Sequence, residues 1–476
     1  MDYDIVAGLE IHVQLSTNTK LFCRCDNDSF NVSPNTNVCP VCMGFPGQLP
    51  VLNEGALDKA LRASLALNCE IQTFSKFDRK SYFYPDSPKG FQISQYDEPI
   101  AENGSLEVTL PSGEKKKIGI TRVHMEDDAG KLVHTDGGTL CDFNRSGTPL
   151  IEIVSEPDMT CMEDASQYAR SVQQIVRYVG SSTCDMEKGM MRFDINISLK
   201  PKGQKEFGTK VEIKNVNSFR SLERAFLYEV ERQKALLDKG EKIVQETRGW
   251  DDNRGTTIAQ RLKEEADDYR YFPEPDLPPL EFKIEDIEEL KKSLPEMPAQ
   301  KTARFISDYS LNEDDARILV SSLDLAGFYE EVAAFSNDPK KAVSFVNTVL
   351  MAKLNEDLLD ITECKVTAQN LGDLIKMVNS GEVSVSQARN EIFAEMYSTG
   401  QSPKEIVDRL GIKQVSDEGE LKAVCEKVVD ANPEPVADFK AGKEKAFAFL
   451  MGQIMKETKG QANPALVNKI LKDLLG

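Results

Sequence analysis

At 476 residues the chain exceeds what one hydrophobic core organises, so two or three domains are expected. Acidic residues outnumber basic ones by 78 to 58, a net charge of −20, which argues against a surface that attracts nucleic acid everywhere. No run approaches the roughly 18 apolar residues of a membrane-spanning helix, and Met1-Asp2-Tyr3-Asp4 lacks the basic start of a secretory signal, so a cytoplasmic chain with no membrane partner is expected.

The first element is a strand. Ile5, Ala7, Leu9, Ile11, Val13 and Leu15 alternate with Glu10, His12 and Gln14, and a side-chain period of two gives one apolar row and one polar row. Glu10 and His12 project the same way, about 7 Å apart. Next come Cys23, Cys25, Cys39 and Cys42, spaced C-x-C-x13-C-x2-C. Two close pairs joined by a loop can place four thiolates at the corners of a tetrahedron, as structural zinc requires; two disulfides or unrelated buried thiols are the rival readings. The run Asp78 to Gly90 interleaves Arg79, Lys80 and Lys89 with Tyr82, Phe83 and Tyr84 in a proline-broken loop. Such a loop could grip a nucleotide or an unpaired RNA end, or be a packed aromatic loop with solvated lysines.

Asn103-Gly104 and Pro111-Ser112-Gly113 bracket Leu106, Val108 and Leu110 as a hairpin strand. The opening alternation then returns four times. Arg122, His124, Glu126 and Asp128 alternate with Val123 and Met125; Glu152 sits between Ile151 and Ile153; Asp194, Asn196 and Ser198 alternate with Ile195, Ile197 and Leu199; Glu212 lies between Val211 and Ile213. One antiparallel sheet with a dry face and a carboxylate face explains all five segments. A solvated face is the plain reading, but Glu, Asp and His recurring within short Val/Ile runs suit a hard-cation site.

Thr160-Cys161-Met162-Glu163 is a capping-box pattern for a helix carrying Tyr168, Val172 and Val176, and a second helix carries Leu222, Phe226 and Val230. His134, before Thr135-Asp136-Gly137-Gly138, reads as part of a turn. Prolines 273, 275, 278, 279, 295 and 298 mark a change of regime, after which apolar spacing is helical. Ser384 to Gln387 and Ser402 to Glu405 are capping boxes, and Asn463-Pro464 opens the last helix. From Lys440 to Gly476, seven lysines face three acids, a local +4 that screening lets act independently of the acidic whole. The expected division is 1–292, 293–405 and 406–476.

The chain has no G-x-x-x-x-G-K-[ST] loop and no usable G-x-G-x-x-G after a strand, so any ATP must be held through metal and basic side chains. At this point the motifs converge. Ala7 to His12, the cysteine knuckle, Asp78 to Gln95, His124 to Gly130, Asn144 to Glu152 and Asp268 to Asp276 closely resemble the B subunits of the aspartyl/glutamyl-tRNA amidotransferases, and Met451 to Lys456 is similar to that family's helical YqeY-like tail. The likeness covers essentially the whole chain.

The resemblance implies an α+β architecture: a mainly antiparallel-sheet cradle with a zinc knuckle at 23–42, an all-α domain and a tRNA-binding tail. It implies repair of mischarged Glu-tRNA(Gln) or Asp-tRNA(Asn) to the amide, with ammonia sent by the A subunit, a glutaminase, and a small C subunit completing a heterotrimer. The B subunit, with ATP and Mg2+, would phosphorylate the side-chain carboxylate so that ammonia displaces phosphate. On this reading Glu10, Glu126 and Glu152 are the magnesium-side carboxylates, His12 lies beside them as a ligand, as a group that orients a carboxylate or as a residue on the ammonia path, and Asp194 is a fifth candidate. Arg145, Lys210 and Lys214, with Arg79, Lys80 and Lys89, are candidates to neutralise phosphate. The alternative is a non-catalytic, zinc-stapled tRNA-binding scaffold whose acidic strands merely face a partner.

Overall fold

Ala7, Leu9, Ile11, Val13 and Leu15 are all buried, as the two-residue alternation requires. A computed structural model of the chain describes residues 2–262, 269–412, 418–440, 443–458, 462 and 464–475. Asp268 of the 268–276 motif, Lys459 of the tail and the expected helix start Asn463 lie outside them. The chain divides into two units, Met1–Met297 and Pro298–Gly476.

In chain order, the strands of the first unit are β1 (Tyr3–Gln14), β2 (Glu70–Ile71), β3 (Phe74–Ser75), β4 (Asp78–Ser81), β5 (Phe91–Ser94), β6 (Ala101–Thr109), β7 (Lys115–Asp127) and β8 (Lys131–Thr135). They continue with β9 (Gly138–Asp142), β10 (Pro149–Ser155), β11 (Met191–Pro201), β12 (Val211–Val216), β13 (Glu246–Asp251), β14 (Thr256–Leu262), β15 (Phe272–Pro273) and β16 (Leu280–Glu281). Its helices are α1 (Glu54–Ala66), α2 (Met162–Tyr178), α3 (Phe219–Asp238) and α4 (Ile284–Lys292).

A nine-stranded sheet runs in the order β14-β13-β12-β11-β1-β10-β7-β6-β2. The five alternating segments are its contiguous middle, β12-β11-β1-β10-β7, and every pair among them is antiparallel; β12 and β13 run parallel. Tyr168, Val172 and Val176 of α2 and Leu222 and Phe226 of α3 join Ile11, Met125, Ile153, Phe193 and Ile195 in one core. Each such side chain contributes about 2 kcal/mol by leaving water. Helices therefore cover one face of the sheet and the polar row occupies the other. A one-residue slip would turn the carboxylates into the core, so burial fixes the register.

Four local expectations are corrected. Asn103-Gly104 does not end a strand: it lies within β6, where left-handed Asn103 (φ 54°) interrupts pairing and the register continues from Glu102↔Arg122 to Gly104↔Ile120. The capping box at 160–163 does not form. Cys161 is the N-cap without a side-chain bond, and Asp164, one position on, accepts instead from Thr160 N (2.7 Å) and Thr160 Oγ1 (3.0 Å). His134 is in strand β8, with Nδ1 2.9 Å from Thr139 Oγ1 across the β8–β9 hairpin. Arg79 and Lys80 are in strand β4, paired with β5, and not in a loop.

The described elements of the second unit are helical. Both boxes expected there are formed, Ser384 with Gln387 and Ser402 with Glu405. Helices Glu418–Ala431, Glu444–Glu457 and Pro464–Leu475 share a core of Leu421, Cys425, Leu450, Ile454, Val467 and Leu471. Lys440, Lys443, Lys445, Lys456, Lys469 and Lys472 are exposed around it. Among the described residues, no helix is long and apolar enough to cross a membrane.

Candidate active site on the carboxylate face

Antiparallel pairing sets opposed residues on the same face of the sheet. His12 stands opposite Glu152 on one side and Arg192 on the other, and Glu152 in turn stands opposite His124. Glu10 stands opposite Asp194, and Asn196 opposite Glu212. The polar row of the sequence is thus a polar surface that spans five adjacent strands, β12-β11-β1-β10-β7.

Two groups of ligand atoms emerge on it. His12, Glu126 and Glu152 bring one atom each within 4.8 Å of one another, and Glu10, Asp194 and Glu212 do the same alongside. In the first group, Glu152 Oε2 lies 3.4 Å from His12 Nε2 and 3.2 Å from His124 Nε2. Burial opposes ionisation of Glu152, but His124 and His12 outweigh it and hold the carboxyl well below its usual range. Burial likewise favours a neutral His12, yet Glu152 pushes it up to about 9. Glu126 accepts from Ser94 Oγ at 3.3 Å and lies 3.8 Å from Lys80 Nζ, above which the Tyr269 ring sits at 5.3 Å. Burial lowers the Lys80 ammonium, but Glu126 more than reverses this, so Lys80 stays charged.

The second group is bridged by a lysine. Lys214 Nζ is 2.6 Å from Asp194 Oδ2 and 3.1 Å from Glu212 Oε1, while Asn196 donates to Glu10 Oε1 at 2.9 Å. Burial, with Glu152 and Asp194 nearby, raises the Glu10 pKa. A third charged centre closes the row: Asp128 accepts from Arg192 (3.1 Å) and Gln14 (3.1 Å), with Arg145 Nε 3.4 Å away. Despite burial, Arg145 and Arg192 lower the Asp128 pKa. Arg145 also donates to the carbonyls of Ala129 and Gly130, which fixes its direction.

Members of each group line a cavity of about 710 Å³, among them His12, Lys80, Glu126, Asp128, Arg145, Arg192, Asp194 and Lys214, together with Tyr82 and Tyr269. That volume lies within the range of ligand sites. The carboxylates are donors for magnesium or manganese, whereas the imidazole of His12 is an unusual magnesium ligand and suits manganese or zinc better.

The remaining candidates are placed elsewhere. Strand alternation turns Arg79 away from Lys80, to a cavity of about 290 Å³ beside the knuckle that Lys89 also lines. There Arg79 is bound bidentately by Glu274 (2.7 and 2.8 Å) and stacks on Phe91, and Lys89 pairs with Asp127. Lys210 is exposed and does not line the large cavity. Cys23, Cys25, Cys39 and Cys42 gather their sulfurs within 4.8 Å, compatible with a structural metal. Fully buried Lys20 supports them: Nζ donates to Asn37 O at 2.7 Å and lies 3.7 Å from Cys42 Sγ.

His124, Asp128, Arg192 and Glu212 are the site residues absent from the sequence candidates. The alternation had placed His124, Asp128 and Glu212 in polar rows, whereas Arg192 became visible only through its register with His12.

The first unit, which carries this face, matches a catalytic domain of known class. The family model described as the GatB/GatE catalytic domain matches residues 5–288, and that described as the GatB domain matches residues 327–475. The chain is 51% identical over 476 residues to the aspartyl/glutamyl-tRNA(Asn/Gln) amidotransferase B subunit of Persephonella marina, covering 100% of both chains. It is 50% identical over 479 residues to the protein of that name from Carboxydothermus hydrogenoformans (100% of this chain, 99% of the relative) and 48% identical over 475 residues to that from Brevibacillus brevis (99% of each). The chain belongs to the family of aspartyl/glutamyl-tRNA(Asn/Gln) amidotransferase B subunits.

Proposed function

We propose that this chain, in the cytoplasm, carries out the ATP-dependent step by which Glu-tRNA(Gln) or Asp-tRNA(Asn) becomes the amide, within a complex that also holds a glutaminase A subunit and a small C subunit. The observation that carries the reading is the His12–Glu126–Glu152 group, of which His12 and Glu126 line a cavity with Lys80, Arg145 and Arg192.

A carboxylate is a poor electrophile and hydroxide a poor leaving group; an acyl phosphate removes both obstacles. Transferring the γ-phosphoryl group depends mainly on positioning and on neutralising its charge. Bound Mg2+, which Glu126, Glu152 and His12 would hold, would supply that neutralisation. Lys80 holds its charge against Glu126 on one wall and Lys214 sits between Asp194 and Glu212 on the other, so cations flank the space on both sides. The carbonyl bonds of Arg145 keep its guanidinium directed along the wall. Ammonia then attacks the acyl carbon and phosphate leaves. Glu10, Asp194 and Glu212 form a second acidic group whose charge Lys214 offsets in part through its ion pairs with Asp194 and Glu212. Zinc at the four cysteines staples the knuckle, and the exposed lysines of the last helices offer contacts to tRNA phosphates.

The test is the Glu126→Gln variant of the assembled complex, supplied with mischarged tRNA, ATP and ammonium chloride. The reading expects tRNA-dependent ATP cleavage to collapse while tRNA binding persists. Unchanged cleavage, or binding and cleavage falling together, would favour the scaffold alternative.

A further inference from the structure

We infer that His124 is the positioning residue for Glu152, holding that carboxylate in place by a hydrogen bond from Nε2–H while His12 turns to a bound cation; this rests on the cation site proposed for the same face. The strands dictate the placement. His124 lies on the polar row of β7, its Cα is paired with that of Glu152, and its Nε2 is 3.2 Å from Glu152 Oε2. The ring is only 3% exposed, and its buried Nδ1 has no hydrogen-bond partner among the described residues. Among the described residues, Glu152 is therefore the polar partner of this imidazole, and no other bond explains its burial.

The two histidines flank the same oxygen but are not equivalent. His12 belongs to the group whose ligand atoms lie within 4.8 Å, and His124 does not. His12 Nε2 cannot both donate to Glu152 and offer its lone pair to a cation. Once it ligates, its hold on Glu152 is released and the contact from His124 remains. An apolar side chain would fill this buried position without losing hydration, so an imidazole here is accounted for by the carboxylate it orients. Supporting groups of this kind typically govern metal affinity by about 10- to 100-fold.

Manganese binding to the assembled complex, followed by electron paramagnetic resonance, tests the inference in wild type, His124→Leu and His124→Gln. Leu fills the volume without a donor; Gln places an amide N–H near the position of Nε2. The expected result is a loss of at least about tenfold in Mn2+ affinity for His124→Leu, with His124→Gln much closer to wild type. The Mg2+ concentration for half-maximal ATP cleavage should rise in parallel, and the rate at saturating Mg2+ should change far less. Wild-type affinity in His124→Leu, or a loss in His124→Gln as large as in Leu, would overturn the role of His124. If His124→Leu does not fold, His124→Gln decides: near-wild-type affinity supports the role and a loss of tenfold or more contradicts it. A wild-type complex that binds no Mn2+ at these residues would instead overturn the cation site itself.

Discussion

Glu152 and His12 face each other across β10 and β1, with Glu152 Oε2 3.4 Å from His12 Nε2. Burial opposes the charge of this carboxylate, and the imidazoles of His124 and His12 outweigh it and keep the group ionised. Replacing Glu152 by Gln keeps the shape and removes the charge. Divalent-ion binding and tRNA-dependent ATP cleavage should each fall by at least about 100-fold, equivalent to roughly 2.7 kcal/mol, with tRNA affinity unchanged. Calorimetric Mg2+ titration beside a filter-binding assay checks both halves.

Asp128 provides the pH-dependent prediction. Burial raises its pKa, but Arg145 and Arg192 bring it below the ordinary value. A depressed folded-state pKa contributes stability above the unfolded value, near pH 4, and loses it as pH falls through the folded value. Arg192→Leu removes one of the two cations and leaves burial less opposed. The variant should lose about 3 kcal/mol at pH 7, its acid-unfolding midpoint should move to higher pH, and the gap from wild type should narrow below about pH 4. Urea unfolding at pH 7, 5 and 3.5 measures the difference.

Lys20 ties the knuckle to the loop that carries Arg145. Its Nζ reaches Asn37 O at 2.7 Å and Phe143 O at 3.4 Å, and Leu21 N donates to Gly147 O. Four thiolates around a divalent ion leave an excess negative charge that a buried ammonium offsets. Lys20→Met should release zinc to a chelator at least about tenfold faster than wild type. Zinc content should be one ion per chain before chelation, and removal of the ion should lower the unfolding temperature. Colorimetric release kinetics and calorimetry report these outcomes.

Tyr168 makes a contrasting point about the core. Its ring is fully buried beneath the sheet, and among the described residues its hydroxyl has no hydrogen-bond partner. Tyr168→Phe removes an unsatisfied group and leaves the packing in place. Stability should be unchanged or rise by about 1 kcal/mol, read from denaturant midpoints at constant slope.

Much of this was legible in the sequence because period two is a strong signal when one face is dry. Five short Val/Ile runs with acids between them gave the central strands, and their shared alternation gave the polar face. What alternation cannot supply is register across strands. Glu10, Glu126 and Glu152 read as one set, but Glu10 gathers its ligand atom with those of Asp194 and Glu212, while His12 joins Glu126 and Glu152. The same limit applied to Arg79 and Lys80. As loop residues they could share a ligand; as neighbours on β4 they must face opposite ways. At Thr160, the S/T-x-x-E pattern lost to Asp164, whose shorter side chain reaches the Thr160 N–H one residue further into the helix.

The most direct measurement follows the oxygen atoms of the reaction. Glu-tRNA carrying 18O in its side-chain carboxylate is given to the wild-type complex with ATP and ammonia, and the released phosphate is analysed by mass spectrometry. Passage through an acyl phosphate requires one labelled oxygen to leave in each phosphate formed. Amide formation with unlabelled phosphate would contradict it.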